Sequence, residues 1–334
     1  MKTHVLFIWD PRPELKGFLR KSLDQFPDID LIFPEPADEE QILQESSKAD
    51  IIVGWRPSEK LLDTAKNLKL FINPGAGVQH QIDRFKKLNT KRSVILVNGH
   101  GNSYFTAQHA VALLLALSNK VIPHHNWMKE GKWRLGDKEA ASEPLRGKKI
   151  GLLGYGAVNR KVHQFLKGFD LDFAALKLKW DHEPEEIIPY TPEQLNEFLK
   201  EIDVLIIAIP QTSKTVDLIR FDQLKLLGSQ GLLIQLSRGV IINEKDLFTA
   251  LESKQIAGAA IDVWYNYKPE PGIQGRRYPF SYPFNQLENV ILSPHRAASP
   301  FSDLKRWEEV IENITRLHLG RKDFLNIVDL EREY

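Results

Sequence analysis

Six residues, Gly154-Tyr155-Gly156-Ala157-Val158-Asn159, follow an apolar run and open an amphipathic one. Their types and spacing suit a phosphate. The first glycine permits a tight bend. The second has no side chain, so a pyrophosphate can reach the free N–H groups at a helix N-terminus. Asn159 stands where a third glycine would allow close helix–strand packing, a departure from the G-x-G-x-x-G pattern. With a strand before it and a helix after it, the turn is expected to bind a dinucleotide rather than serve as a plain Gly-rich connection. The next strand ends near Lys177. An acidic residue there would accept the ribose hydroxyls of NAD, whereas a cation suits the 2′-phosphate of NADP. A solvated strand-end lysine is common, and Asp181 and Glu183 come slightly late for the acidic role. The expected cofactor is NADP or NAD, with a lean to NADP.

Two further side chains could act on a bound acid. Arg238 directly follows the apolar run LLIQLS, at the carboxyl end of a strand, where open α/β sheets bind ligands. Its guanidinium fork is permanently charged and matches a planar carboxylate or 2-oxo group; the ordinary alternative is a surface ion pair. His295 follows Pro294, a setting in which a histidine is usually only a turn residue. An imidazole titrating near neutrality can donate a proton in one direction and accept it in the other. Hydride transfer to a 2-oxo acid needs such a donor, a clamp for carboxylate and carbonyl, and a nicotinamide face.

These residues sit on a repeating scaffold. Apolar runs at 4–9, 29–33, 50–55, 68–72 and 93–97 read as buried strands, with helices at 13–23, 38–47, 58–67 and 82–88 between them. A longer Ala- and Leu-rich helix at 105–121 is followed by a polar, Trp-bearing stretch. The rhythm then restarts. Strands are expected at 149–153, 172–178, 204–209, 232–236, 257–263 and 290–292, and helices at 156–167 and 300–319. Thr191, Pro192 and Gln194 spell a capping box. Strands buried on both faces and separated by helices indicate parallel α/β sheets, here in two rounds with a break around 98–103.

Composition narrows the function classes. The 334 residues suggest two domains at about 150 residues each. Lys+Arg is 45 and Asp+Glu 44, so no global field draws nucleic acid or an anionic membrane. The absence of cysteine excludes disulfide frameworks, thiolate nucleophiles and Cys-ligated metal, and favours a cytoplasmic setting. No metal is expected. The apolar stretch near the N-terminus is too short for a signal peptide. The most apolar helix candidate, 110–117, falls far short of the roughly 20 residues that span a bilayer.

Five short segments, in order, resemble the D-isomer-specific 2-hydroxyacid dehydrogenases: Asn73-Pro-Gly-Ala-Gly-Val78, residues 98–117, the turn at 151–159, Leu236-Ser-Arg-Gly-Val240 and Ser293-Pro-His295. The stretch from Trp55 through Gly77 looks most like the glyoxylate/hydroxypyruvate reductase branch. The resemblance implies two doubly wound parallel-sheet α/β domains with the active site in a cleft between them. Residues 1–103 with 300–334 would be a flavodoxin-like substrate domain, and 104–299 an NAD(P)-binding Rossmann domain. It implies a homodimer, formed through the cofactor domain and the segment from Trp127 to Pro144, and a small carboxylate as substrate.

The resemblance also assigns roles. Arg238 and His295 would be catalytic. Gly154, Tyr155, Gly156, Ala157, Val158, Asn159, Lys177, Pro210, Ser237 and Asp262 would meet the cofactor. Ala76, Gly77 and Val78 would meet the substrate, with the Gly77 and Val78 amides on its carboxylate. Trp55 would cover that site or simply pack on its sheet. Gln79 and His80 could shape the mouth or be plain loop.

The family usually places a carboxylate five residues after the aspartate matched by Asp262, where it raises the histidine's pKa. Tyr267 holds that position, and Glu270 could serve only if the loop carries three extra residues. The ungapped alignment favours Tyr267, which would orient the imidazole. Arg276 and Arg277 lie in a long loop and could meet an acidic substrate or be solvated. The expected activity is hydride transfer between nicotinamide and a 2-oxo or 2-hydroxy acid of the D series. A catalytically weak nucleotide sensor like the C-terminal-binding-protein corepressors is the alternative, and formate or phosphite oxidation a third.

Overall fold

The computed structural model describes residues 2–134, 136, 140–180, 182, 185–300 and 302–334. Strands such as Ile51–Val53 and Val204–Ile207 are buried at every position, so their sequences read as continuous apolar runs rather than alternating ones. The chain divides into two compact units, 1–102 with 300–334, and 103–299.

In the first unit, β1 (Thr3–Phe7), β2 (Ile29–Ile32), β3 (Ile51–Val53), β4 (Leu70–Asn73) and β5 (Ile95–Asn98) form one parallel sheet ordered β2-β1-β3-β4-β5. This is the flavodoxin-like order. It reverses between β1 and β3, so the loops leaving those two strands flank a crevice at the carboxyl edge. Leu6, Ile52, Phe71 and Phe85 pack one face. On the other, Val5, Phe7, Ile51 and Leu70 lie in one cluster with Val310 and Ile314 of the helix Glu308–His318. That apolar face is why the last residues fold with the first hundred. Buried Asn313 fastens the tail behind it: its amide donates to the Leu325 carbonyl at 3.2 Å and accepts from the Leu325 N–H at 2.7 Å.

The second unit holds β6 (Lys149–Leu153), β7 (Asp172–Leu176), β8 (Ile188–Tyr190), β9 (Val204–Ile207), β10 (Leu232–Gln235), β11 (Gly258–Ile261) and β12 (Val290–Leu292). All pair in parallel, in the order β12-β11-β10-β9-β6-β7-β8. With β6 counted as the first strand, this is the 3-2-1-4-5-6 order of dinucleotide-binding sheets with a seventh strand added, and it switches between β6 and β9. The helix Ser103–Ser118 buries Ala107, Ala110 and Leu114 against Ile150 and Ile206. Leu153, Phe198, Leu205 and Leu233 fill the opposite face. No single helix among the described residues is long and apolar enough to cross a membrane.

The expected helix at 105–121 stops earlier, at Ser118. Lys120 takes a left-handed conformation (φ 50°), and a second helix, Val121–Lys129, leaves at a 61° bend into the Trp-bearing stretch. The last helix starts later than Pro300, because Asp303 caps a short 3-10 turn at Leu304–Trp307 before it. The edge strand β8 escaped sequence reading because it contains Pro189, which an edge tolerates. The helices Phe221–Leu227 and Glu244–Glu252 also went unread.

Gly154 leaves β6 with φ +87°, and a Cβ there would stand 2.7 Å from the Ala208 carbonyl oxygen beyond β9. Gly154→Ala should therefore destabilise the protein by about 1–3 kcal/mol. The urea unfolding midpoint reads this directly, and an unchanged midpoint contradicts the close apposition.

Candidate active site

The nucleotide turn is built from its glycines outward. Gly154 bends the chain where β6 and β9 part. Gly156 is open: among the described residues, its own chain neighbours aside, no heavy atom lies within 4 Å of where a Cβ would stand. It is the N-cap of the ten-residue helix Ala157–Leu166 and supplies no side-chain cap, so the first N–H groups of that helix are open to an anion. Asn159 occupies the third glycine's place differently from expectation. It is fully buried, and its amide donates to the Gly154 carbonyl at 2.8 Å and to those of Leu153 and Ile206 at 3.3 Å. It thus braces the turn from beneath and does not face the open side. The Tyr155 hydroxyl is hydrogen-bonded to His163 Nδ1 at 2.9 Å, with Trp180 against its ring. Burial pushes the Tyr155 hydroxyl up and the His163 imidazole down, so both stay neutral near pH 7. The open Gly156 and uncapped helix fit the diphosphate of a nicotinamide dinucleotide.

Lys177 follows β7 directly, with its ammonium 5.7 Å from the Trp180 ring centroid. Asp181 and Glu183 lie outside the described residues. Pro210 lies beyond β9, at the switch, where its carbonyl accepts from the Thr215 hydroxyl at 2.7 Å.

Arg238, Tyr267 and His295 come together at the carboxyl edge of the same sheet. The Tyr267 and His295 rings meet edge to face, centroids 5.3 Å apart. Arg238 lies close enough to depress the pKa of both. Its guanidinium is half-buried, and among the described residues it makes one hydrogen bond, to the Ser237 carbonyl at 2.6 Å. It has no carboxylate partner among them. Desolvation holds its pKa below the usual value. A half-buried guanidinium without a counter-ion is costly unless an anion completes it.

His295 is solvent-accessible yet flanked closely by protein. Desolvation is the main cause that lowers its pKa below 6.5. Asp262 opposes the shift, and Arg238 and Arg296 add to it. Tyr267 OH does not orient the imidazole by a hydrogen bond among the described residues; the two side chains meet through their rings. Burial chiefly raises the Tyr267 pKa, so the phenol stays neutral. Glu270 is exposed and is not among the charges acting on His295.

Asp262 is placed otherwise than as a cofactor contact. It is fully buried at the end of β11 and accepts from the Ser293 hydroxyl, from the Arg296 N–H at 2.7 Å and from the Ala297 N–H at 3.0 Å. These donors bracket His295, so the carboxylate holds the histidine loop. His109 adds a residue that sequence reading missed. Its Nε2 is 3.0 Å from Ser293 Oγ, which already donates to Asp262, so His109 is the donor. The Trp264 indole N–H binds the Ser293 carbonyl at 2.8 Å. Ser237 likewise turns inward: its hydroxyl donates to Gln235 at 2.9 Å, while Gln235 donates to the Arg238 carbonyl at 3.1 Å. Buried Gln235, also missed, thereby sets the arginine's backbone. Arg276 and Arg277 lie on an exposed loop.

In the first unit, the loop 74–78 after β4 has its carbonyls tied down. Asn73 donates to Gly75 and Gly77, and Asn98 to Ala76 at 2.7 Å. Buried Gln81 anchors Asn73 at 2.8 Å and the Trp55 carbonyl at 2.8 Å. His80 also reaches the Trp55 carbonyl, at 2.5 Å, and Gln79 is half-buried beside it. The N–H groups of Gly77 and Val78 have no partner among the described residues. Adjacent uncommitted amides on a fixed loop can hold an anion.

Residues 111–297 match the family model described as D-isomer specific 2-hydroxyacid dehydrogenase, NAD binding domain. The chain is 31% identical over 264 residues to D-3-phosphoglycerate dehydrogenase of Archaeoglobus fulgidus, covering 78% of this chain and 47% of that one, about half its length. It is 28% identical over 283 residues to glyoxylate reductase of Pyrococcus furiosus, covering 81% and 80%. The whole chain superposes on the whole of a D-isomer specific 2-hydroxyacid dehydrogenase from Xanthobacter autotrophicus, solved with NADPH and MES, with a TM-score of 0.79 at 22% identity. That likeness shows the fold.

The His295 environment makes a measurable statement. Its imidazole should titrate below 6.5 by NMR in the free protein. Asp262→Asn should move the midpoint lower still, because it removes the one charge that favours the imidazolium. Glu270→Gln should leave it unchanged. A wild-type midpoint at or above 6.5 contradicts the desolvated setting.

Proposed function

We propose that this chain, which belongs to the D-isomer specific 2-hydroxyacid dehydrogenase family, reduces small 2-oxo acids to D-2-hydroxy acids with a nicotinamide dinucleotide, and catalyses the reverse oxidation. The observation that carries the reading is Arg238, half-buried beside His295 and without a counter-ion among the described residues. The relatives named above are dehydrogenases and reductases, which favours an enzyme over a sensor.

The nicotinamide supplies the hydride. Arg238 engages carboxylate and 2-oxo oxygen with its planar fork, drawing charge onto that oxygen. His295 gives its proton to the oxygen as charge develops, and takes it back in the oxidation. The Tyr267 ring keeps water from one side of the imidazole. The Gly77 and Val78 amides are donors suited to a carboxylate oxygen of the acid. The protonated share of His295 falls as pH rises through its lowered pKa. Reduction therefore slows toward alkaline pH, while oxidation, which needs the neutral ring, gains.

Gly156 and the amides of Ala157 and Val158 take the diphosphate, with Gly154 and Asn159 shaping the turn. Lys177, at the end of β7, favours NADP, and a structure of similar fold was solved with NADPH. A homodimer is supported by large apolar side chains exposed together around the helix Val121–Lys129: Val121, Ile122, Met128 and Trp133.

Purified protein should oxidise NADPH with at least one acid of a panel of glyoxylate, hydroxypyruvate, pyruvate and phenylpyruvate. No turnover across that panel, with nucleotide bound, overturns the reading. Arg238→Lys should lower kcat/KM by about 10²-fold or more through loss of the bidentate fork. Lys177→Ala should cut the NADPH-over-NADH preference about tenfold, the worth of one charge-assisted hydrogen bond.

A further inference from the structure

Three indoles from distant parts of the sequence meet in the first unit. Trp9 lies just beyond β1, Trp55 just beyond β3, and Trp307 at the end of the 3-10 turn before the helix Glu308–His318. Trp9 and Trp307 stack at 5.7 Å and 21°. Trp55 leans on Trp9 at 4.8 Å and closes on Trp307 at 6.3 Å and 80°. They frame a cleft of about 840 Å³ that also touches Pro74, Gly75 and Arg306. The cleft opens at the β1/β3 switch, the position at which open α/β sheets take ligands.

We propose that this cleft seats a flat aromatic side chain on the 2-oxo acid, so that the substrates are aryl-substituted acids rather than two- or three-carbon ones. The inference rests on the 2-oxo-acid reading above and names its substrate class.

Four observations converge. Trp55 is 39% exposed although a fully packed indole would bury far more, so one of its faces is left for a ligand. The Trp wall adjoins the carboxylate loop: the Trp55 indole nitrogen is 3.3 Å from where a Cβ of Gly75 would stand, and the Trp55 carbonyl is held by Gln81. The loop that carries the Gly77 and Val78 amides thus begins, at Pro74 and Gly75, on the wall of the indole cleft. The charges around the cleft do not call for a second anion. Arg306 is engaged with Asn102 and the Pro300 carbonyl, Asp10 pairs with Lys16 at 2.9 Å, and Arg12 and Glu14 oppose each other in sign on the exposed rim. Finally, glyoxylate would leave most of the volume to water, whereas an aryl ring removes its own apolar surface and those of the indoles from it.

Steady-state kinetics on the full chain, with NADPH and NADH, decide this. Phenylpyruvate and indole-3-pyruvate should show kcat/KM about 10–100-fold above glyoxylate, the range expected for burying one ring. Trp9→Leu should lower the phenylpyruvate-to-glyoxylate ratio about tenfold, and Trp9→Phe should restore most of it. If glyoxylate or hydroxypyruvate is reduced as well as the aromatic acids, the aromatic seat is wrong and the 2-oxo-acid reading stands. If no acid is reduced, both fall. The wild-type ratio is decisive even if Trp9→Leu fails to fold. Quenching of tryptophan fluorescence by 3-phenyllactate but not by glycolate is the second expected signature, and equal quenching by both contradicts the seat.

Discussion

The buried carboxylate of Asp262 is the constraint on which the edge carrying Arg238, Tyr267 and His295 depends. An ionised group with no exposed surface is tolerated only when its oxygens are saturated with donors. Here one hydroxyl and two backbone N–H groups do so, and all three come from the loop that leaves β12. The loop must therefore fold back over the end of β11. His295 takes φ +56° within it, a conformation that costs of order 1–3 kcal/mol outside glycine unless its surroundings over-determine it. The clasp, the Trp264 indole and His109 over-determine it. The placement of His295 is thus a consequence of charge satisfaction at the end of β11.

The same economy recurs elsewhere: buried side-chain amides fix the backbone of segments that must present charge. Asn159 collects the carbonyls under the nucleotide turn, Gln235 that of the arginine segment, and Asn73, Asn98 and Gln81 those around the loop 74–78. Tying carbonyls inward leaves N–H groups or a guanidinium as the uncommitted donors. Each such segment follows the carboxyl end of a parallel strand, the edge at which this class of sheet offers its loops. The β-framework holds these donors in place, and Arg238 has no counter-ion among the described residues.

Strand positions were largely legible because doubly buried strands announce themselves as apolar runs; β6 and β12 have the expected limits of 149–153 and 290–292. Helix limits were less so, since Lys120 and Asp303 act through backbone geometry that composition does not encode. The Gly154 turn, Arg238 and His295 were legible as positions just beyond strand ends, because the apolar runs before them mark those strands. Their supports were not. His109 meets Ser293 across 184 positions, and Trp9 meets Trp307 from opposite ends of the chain. Such pairs exist only once the sheets are assembled. Asn159 and Asp262 were legible as positions but not as braces, because burial inverts what a polar side chain can face.

The most direct measurement is mass spectrometry of the hydroxy acid formed with nucleotide deuterated at the transferable C4 position, run with glyoxylate and with phenylpyruvate. One deuterium is expected on C2 of the product, and its loss, along with turnover, in His295→Asn. Bound nucleotide with no deuterated product from either acid would contradict hydride transfer.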